Sequence, residues 1–227
     1  MSVRRLAPPE LQPKEFAFDR VNMIWAKEQL DKYPAGRQRS AVIPLLWRAQ
    51  EQAGGWLPEA AIRYVADFLG IAHIRALEVA TFYTMFNLTP VGKTHVQLCG
   101  TTPCRLRGAD DLEKICRKRI GEQMEVTEDG KFSWVEVECL GACVNAPMVQ
   151  VGSDYYEDLD AGSFNKLLDD FAAGKTPKPG PQIDRHLSEP IGGATTLTDP
   201  AIYASQGKSE PKSEAKGKKP AAKEKSK

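Results

Sequence analysis

The chain has 227 residues, with 31 Lys plus Arg against 30 Asp plus Glu and a formal net charge of +1. That is room for one large domain or two small ones. Residues 208–227 hold eight Lys and three Glu, so this tail is +5 and the remaining 1–207 is −4; a mildly acidic body argues against a nucleic-acid-binding core.

No run approaches the roughly 18 apolar residues of a membrane span. Met1 to Gln12 carries Arg4 and Arg5 but no apolar stretch, and Pro8-Pro9 interrupts it. It does not read as a secretory signal, and its early Glu10 disfavours a transit peptide. The chain has five Cys, an odd number without a secretion signal. That argues against a disulfide framework and for metal binding, catalysis or core packing.

Residues 1–18 read as a Pro-rich arm, and 19–90 as a helical bundle. Val21, Ile24, Trp25 and Leu30 fit one helical face. A second helix is expected from Ser40, a candidate N-cap, with Pro44 in its first turn, to the Gly54-Gly55 stop. A third starts at Pro58 and places Ile62, Val65, Ala66 and Leu69 on one stripe, ending at Gly70. A fourth is expected over Ile74–Phe86, with Leu77, Ala80, Thr81 and Met85 aligned. The aromatics Trp25, Trp47, Phe68, Phe82, Tyr83 and Phe86 are expected mostly in the core. Some are expected at an interface, because a small bundle often leaves an apolar face for a partner.

The pattern changes after Pro90. His95–Leu98 alternates as a strand ending at Cys99. Asp110–Ile120 is helical, with Leu112, Ile115, Cys116 and Ile120 on one face. Gln123–Thr127 and Lys131–Glu138 read as two strands around the Asp129-Gly130 turn. A second hairpin is expected around Gly152-Ser153-Asp154. A last helix starts at Asp160, runs through Phe164, Leu167, Leu168 and Phe171, and stops at Gly174. The order β-α-β-β-β-α over 95–173 points to a thioredoxin-like domain within 91–176, although order alone leaves ferredoxin-like folds open. The fold class expected is α+β or α/β, with the helical bundle first. Residues 177–207 read as an extended Pro/Gly-rich strap, and 208–227 as a disordered Lys/Ala-rich tail.

Cys99 and Cys104 form C-x4-C after one strand, and Cys139 and Cys143 form C-x3-C after another. Strand-end loops present ligands on fixed supports. Four-cysteine zinc sites favour tighter C-x2-C knuckles, but wider spacings occur. C-x4-C recurs in plant-type [2Fe–2S] sites. C-x-x-C, which a thiol redox catalyst needs, is absent. Physics alone therefore ranks a [2Fe–2S] cluster first, then structural zinc, then unrelated buried or redox thiols. Gly100, Gly141 and Ala142 remove bulk so that backbone N–H groups can approach the sulfurs and tune a potential. Pro103 stiffens the first loop.

The blocks Cys99-Gly-Thr-Thr-Pro-Cys104-Arg-Leu-Arg-Gly108 and Glu136-Val-Glu-Cys139-Leu-Gly-Ala-Cys143-Val-Asn-Ala-Pro-Met148 resemble the 24 kDa [2Fe–2S] subunit family of respiratory complex I. That is the thioredoxin-like subunit of the NADH–quinone oxidoreductase. The resemblance covers roughly 15–190, including Glu78-Val-Ala-Thr-Phe-Tyr83. It implies one [2Fe–2S] cluster on Cys99, Cys104, Cys139 and Cys143, and one-electron transfer as the chemistry. It implies partners: a flavoprotein subunit holding FMN and oxidising NADH, and the large iron–sulfur subunit. It implies a cluster near the flavin but off the main path to quinone. It also implies a peripheral place on the cytoplasmic face of a bacterial membrane, or the matrix face in a mitochondrion. The related diaphorase subunits of NAD-linked hydrogenases and formate dehydrogenases share these blocks. A non-redox binding module with structural zinc is the rival of another class.

No residue is assigned a general acid, general base or nucleophile role. Neither Gly-x-Gly-x-x-Gly nor a P-loop appears, so FMN and NADH are not placed on this chain. Cys116 reads as a small buried hydrophobe. His73, His95 and His186 are each lone and not expected as ligands. Arg105 and Arg107 divide evenly between a role beside the cluster and plain solvated charge. Glu136, Glu138 and Asp154–Asp160 read as solvent-facing. The strap is expected to lie on another subunit. For the Lys-rich tail, contact with anionic lipid or an acidic neighbour stands beside disorder.

Overall fold

The computed structural model describes residues 4–193, 195–199 and 201. The Lys-rich tail at 208–227 lies outside the described residues. Residues up to Ser188 form one compact unit, and those from Glu189 onward a second. In the second unit, turns are closed by Gly193 N–H to Pro190 O at 2.8 Å and by Ala201 N–H to the Asp199 carboxylate at 2.9 Å.

Four helices build the N-terminal half: α1 (Arg20–Asp31), α2 (Val42–Gln52), α3 (Glu59–Phe68) and α4 (His73–Phe82). Leu45, Leu46, Ala49, Ile62, Val65, Ala66, Ala76 and Ala80 face one shared core. Asp19 caps α1 by accepting from Asn22 N–H at 2.7 Å. Ser40 is not the cap of α2. It lies in a 3-10 turn, Gln38–Ala41, that runs directly into the helix, so the first α-helical turn has no side-chain cap. The fourth helix stops at Phe82, four residues short of expectation, because Tyr83 turns extended. The Arg4 guanidinium meets this C-terminus, donating to the carbonyls of Ala80, Thr81, Tyr83 and Phe86. A cation there complements the negative end of the helix dipole. The arm is tied elsewhere too: Ala7 N–H donates to Leu88 O, and Phe18 is buried edge-on against Tyr64 and Phe68. Among the bundle aromatics Phe86 is buried, whereas Phe82 is 76% exposed.

The second half holds a five-stranded sheet in the order β2-β1-β3-β4-β5. Its strands are β1 (Thr94–Cys99), β2 (Phe132–Val137), β3 (Val149–Val151), β4 (Asp154–Glu157) and β5 (Gly180–Pro181). β1 runs parallel to β2, with Cys99 opposite Val137, and antiparallel to β3, with Leu98 opposite Val149. The hairpin β3–β4 turns through Gly152-Ser153, where Gly152 adopts φ +62°, a conformation that favours glycine. The crossover from β1 to β2 contains α5 (Thr102–Leu106) and α6 (Ala109–Arg119), and α7 (Ala161–Ala172) follows β4. Leu112 and Cys116 of α6 and Phe164, Leu167 and Leu168 of α7 share one core with Val96, Leu98, Trp134, Val149 and Tyr156 of the sheet. Asp160 closes a capping box with Ser163 at the start of α7.

One expectation is corrected here. Gln123–Thr127 is not a strand. Met124 sits at φ +67°, which breaks an extended run, and its backbone ties to the edge of β2 are Met124 N–H to Trp134 O and Thr127 N–H to Phe132 O. The strap is also joined to its own domain: β5 pairs parallel with β4, Tyr156 opposite Gly180. Among the described residues no helix is long and apolar enough to cross a membrane.

Candidate metal centre

The four predicted ligands come from the two loops that leave parallel neighbours β1 and β2. Cys99 ends β1, and Cys104 sits in α5, a five-residue helix with Pro103 in its first turn. Both are buried against Ala109, Ala146 and Met148. Cys139 follows β2, and Cys143 opens a 3-10 turn over Cys143–Asn145. Both are exposed. The site thus has a buried floor and an open side.

The sulfurs lie in two pairs. Cys139 Sγ and Cys143 Sγ are 3.4 Å apart. Cys99 and Cys104 are buried in one small cluster, close enough for Cys99 to raise the Cys104 thiol. The Thr101 hydroxyl lies 3.3 Å from Cys99 Sγ. Gly141 N–H donates to Cys139 Sγ at 3.4 Å, the backbone approach that a small residue there permits. Among the described residues no three His, Cys, Asp or Glu side chains close on a point suited to a single metal ion.

Each pair contains one thiol that ionises readily and one that resists. Burial pushes Cys99 up, but hydrogen bonds from the Thr101 hydroxyl and amide, and from Leu140 and Cys104, outweigh it and bring the thiol down. Burial, together with the hydrogen bond to Cys99 and its charge, pushes Cys104 up to about 12. The Gly141 amide and the Cys143 thiol lower Cys139, while the hydrogen bond to Cys139 and desolvation raise Cys143. Thiolates are what bind metal, so metal binding takes protons from these thiols.

The surroundings hold the loops in place. Arg105 Nε donates to Gly100 O at 2.7 Å, and its guanidinium pairs with Glu136 at 2.8 Å and with Asp110. The even division for Arg105 therefore resolves toward an internal tie between the first loop and β2. Tyr155 O–H donates to Leu140 O at 2.9 Å. Asn145, fully buried, donates to Glu157 at 2.6 Å and to Leu187 O at 3.0 Å. The expectation of a solvent-facing acidic stretch fails at Asp158, which is 4% exposed and paired with Arg185 at 3.0 Å. Cys116 is buried in the sheet core, remote from this loop cluster in the packing. Burial pushes its thiol up to about 12. His95 is bound through Nδ1 to Ser133 Oγ at 2.8 Å.

Sequence reasoning did not single out Thr101, Asn145, Asp158 or Arg185. Thr101 carried a signal, since it stands inside C-x4-C with a hydroxyl. The other three depend on contacts between distant segments.

A family profile described as thioredoxin-like [2Fe–2S] ferredoxin matches residues 26–172, more than half of the chain. The chain belongs to the thioredoxin-like [2Fe–2S] ferredoxin family. Among relatives of this ferredoxin, an NADH-quinone oxidoreductase subunit of Rhizobium meliloti is 57% identical over 221 residues, 92% of this chain and 80% of that protein. The corresponding NADH-quinone oxidoreductase subunit of Rickettsia conorii is 58% identical over 155 residues, 68% of this chain and 93% of that protein. The crystal structure of an NAD+-reducing [NiFe]-hydrogenase in its H2-reduced state is similar with a TM-score of 0.50 and 20% identity. That likeness covers 59% of this chain and 23% of the hydrogenase chain, and it bears on the fold alone.

Proposed function

We propose that this ferredoxin is the [2Fe–2S] electron-transfer subunit of the NADH-oxidising module of NADH–quinone oxidoreductase, with Cys99, Cys104, Cys139 and Cys143 as the cluster ligands. The observation that carries the ligand assignment is that two loops leaving the adjacent strands β1 and β2 present the four thiols two and two, Cys99 and Cys104 in one buried cluster and Cys139 and Cys143 with sulfurs 3.4 Å apart. Two thiolates for each of two irons suit that arrangement better than the convergent tetrahedron of a zinc site. Such a cluster supplies one-electron storage and transfer. The residues present fit it: two sulfurs on an apolar floor, two at the open side, and the Gly141 amide and Thr101 hydroxyl directed at sulfur.

The protein's task is to hold these thiolates and to set how readily the site takes an electron. No side chain is needed as an acid or base. The partners are the flavoprotein subunit holding FMN and oxidising NADH, with which single electrons are exchanged, and the large iron–sulfur subunit. The place is peripheral, on the cytoplasmic side of a bacterial inner membrane. Identities of 57% and 58% to proteins named as NADH-quinone oxidoreductase subunits favour this complex over the related hydrogenase and formate dehydrogenase modules.

Low-temperature EPR on the dithionite-reduced full chain, with iron and acid-labile sulfide measured on the same sample, tests the reading. An S = 1/2 signal with about two iron and two sulfide per chain is the expected result. EPR silence with one zinc per chain would overturn it.

A further inference from the structure

The loop carrying Cys139 and Cys143 leaves the sheet and is exposed at both cysteines, so something else must fix it. Arg185 lies beyond the last helix, in the strap. One nitrogen of its guanidinium donates to Val144 O at 3.2 Å, to Asn145 Oδ1 at 3.0 Å and to both carboxylate oxygens of Asp158 at 3.0 and 3.1 Å. Val144 is the residue after Cys143, and Asn145 closes the same 3-10 turn. Asn145 O in turn accepts from Asp158 N–H at 2.7 Å. Arg185 and Asp158 are 6% and 4% exposed. Asp158 sits at φ +52°, in the left-handed region that Asp tolerates.

We propose that the buried Arg185–Asp158 ion pair is the positioning device of the second cysteine loop, clamping the Cys143–Asn145 turn to β4 and the strap and balancing the charge beside the cluster. The inference rests on the four-cysteine reading above. Its logic is that a buried cation aimed at the turn's acceptors fixes the turn, while its paired carboxylate keeps the local charge near neutral. Removing either member changes the charge beside the cluster by one unit, in opposite directions. An electron added to the cluster is favoured by one change and disfavoured by the other.

The test uses the full chain loaded with its cluster, by EPR-monitored redox titration. Arg185→Gln should shift the midpoint potential down, and Asp158→Asn should shift it up. Arg185→Lys, which restores the charge, should bring the midpoint back toward wild type. Iron extraction from the oxidised protein by a chelator should be several-fold faster in Arg185→Gln. Midpoints unchanged in all three variants, or moved the same way in Arg185→Gln and Asp158→Asn, would overturn the proposal while a normal wild-type signal leaves the cluster assignment standing. Absence of a [2Fe–2S] signal in the wild type would overturn both. Should Arg185→Gln fail to fold, the opposition is read between Asp158→Asn and Arg185→Lys: a midpoint raised only in the former supports the clamp, and equal midpoints refute it.

Discussion

Gly100 lies directly against the side chain of Glu136, so that a methyl group on its α-carbon would overlap the carboxylate and the carbon that bears it. The same carboxylate receives the Arg105 guanidinium, and Arg105 also donates to Gly100 O. The smallness of residue 100 therefore serves the tie between the first cysteine loop and β2, beyond any access it gives to sulfur.

The first prediction follows. Gly100→Ala displaces Glu136 and weakens the Arg105 tie, at a cost of about 1–3 kcal/mol, the usual range for overpacking. Urea unfolding of the cluster-loaded chain reads the cost, and visible absorbance reads cluster content. The double variant Gly100→Ala with Glu136→Ala should recover part of the loss, because the overlap is removed. A double variant no better than the single one contradicts this account.

Removing any one of the four site cysteines should lower cluster content, whereas Cys116→Ala should leave content intact and lower stability by about 1–2 kcal/mol through the core cavity it opens. Iron per chain and the thermal midpoint are measured on the same samples. The apo form of the wild type should melt below the holo form, because ligands on two separated loops couple cluster binding to folding. Normal iron content in Cys139→Ala would remove that residue from the ligand set.

Thr101→Val should lower the midpoint potential while keeping cluster content close to wild type. The hydroxyl lies 3.3 Å from Cys99 Sγ, and hydrogen bonds to ligand sulfur favour the reduced, more negative state. Valine keeps the shape and removes the donor. Thr101→Ser should retain most of the wild-type potential. Equal potentials in all three proteins would show that the hydroxyl does not act on the cluster.

The legible parts of this molecule were local. C-x4-C and C-x3-C could be read because each spacing sits in one short block, and α7 could be read because Asp160 opens a run with Phe164, Leu167, Leu168 and Phe171 before Gly174. α5 was missed because five residues give no helical period. Gln123–Thr127 alternates like a strand, but its fate depends on the left-handed turn at Met124 and on the parallel register that β2 takes with β1. Arg185 could not be found, since its partners Asp158 and Val144 lie 27 and 41 residues away and a Pro/Gly-rich stretch carries no period to mark it. Long-range polar pairing is set by tertiary packing, which single-sequence patterns do not encode.

His95 gives the fold a pH dependence. Its ring is largely buried at the start of β1, with Nδ1 bound to Ser133 Oγ and Nε2 without a hydrogen-bond partner. Ser133 Oγ also accepts from Gly92 N–H at 2.9 Å, so the pair joins the entry of β1 to β2. Burial lowers the His95 pKa from 6.5 to about 4. The folded state thus prefers the neutral ring, while the unfolded chain takes up a proton near 6.5. The stabilising contribution is complete above about pH 6.5 and is lost as the pH falls toward 4, a change on the order of 2–3 kcal/mol. Urea unfolding across that window should show stability falling with acid, and His95→Gln should flatten this component of the profile without abolishing folding at neutral pH. A His95→Gln profile as steep as the wild type's would assign the acid sensitivity to other groups.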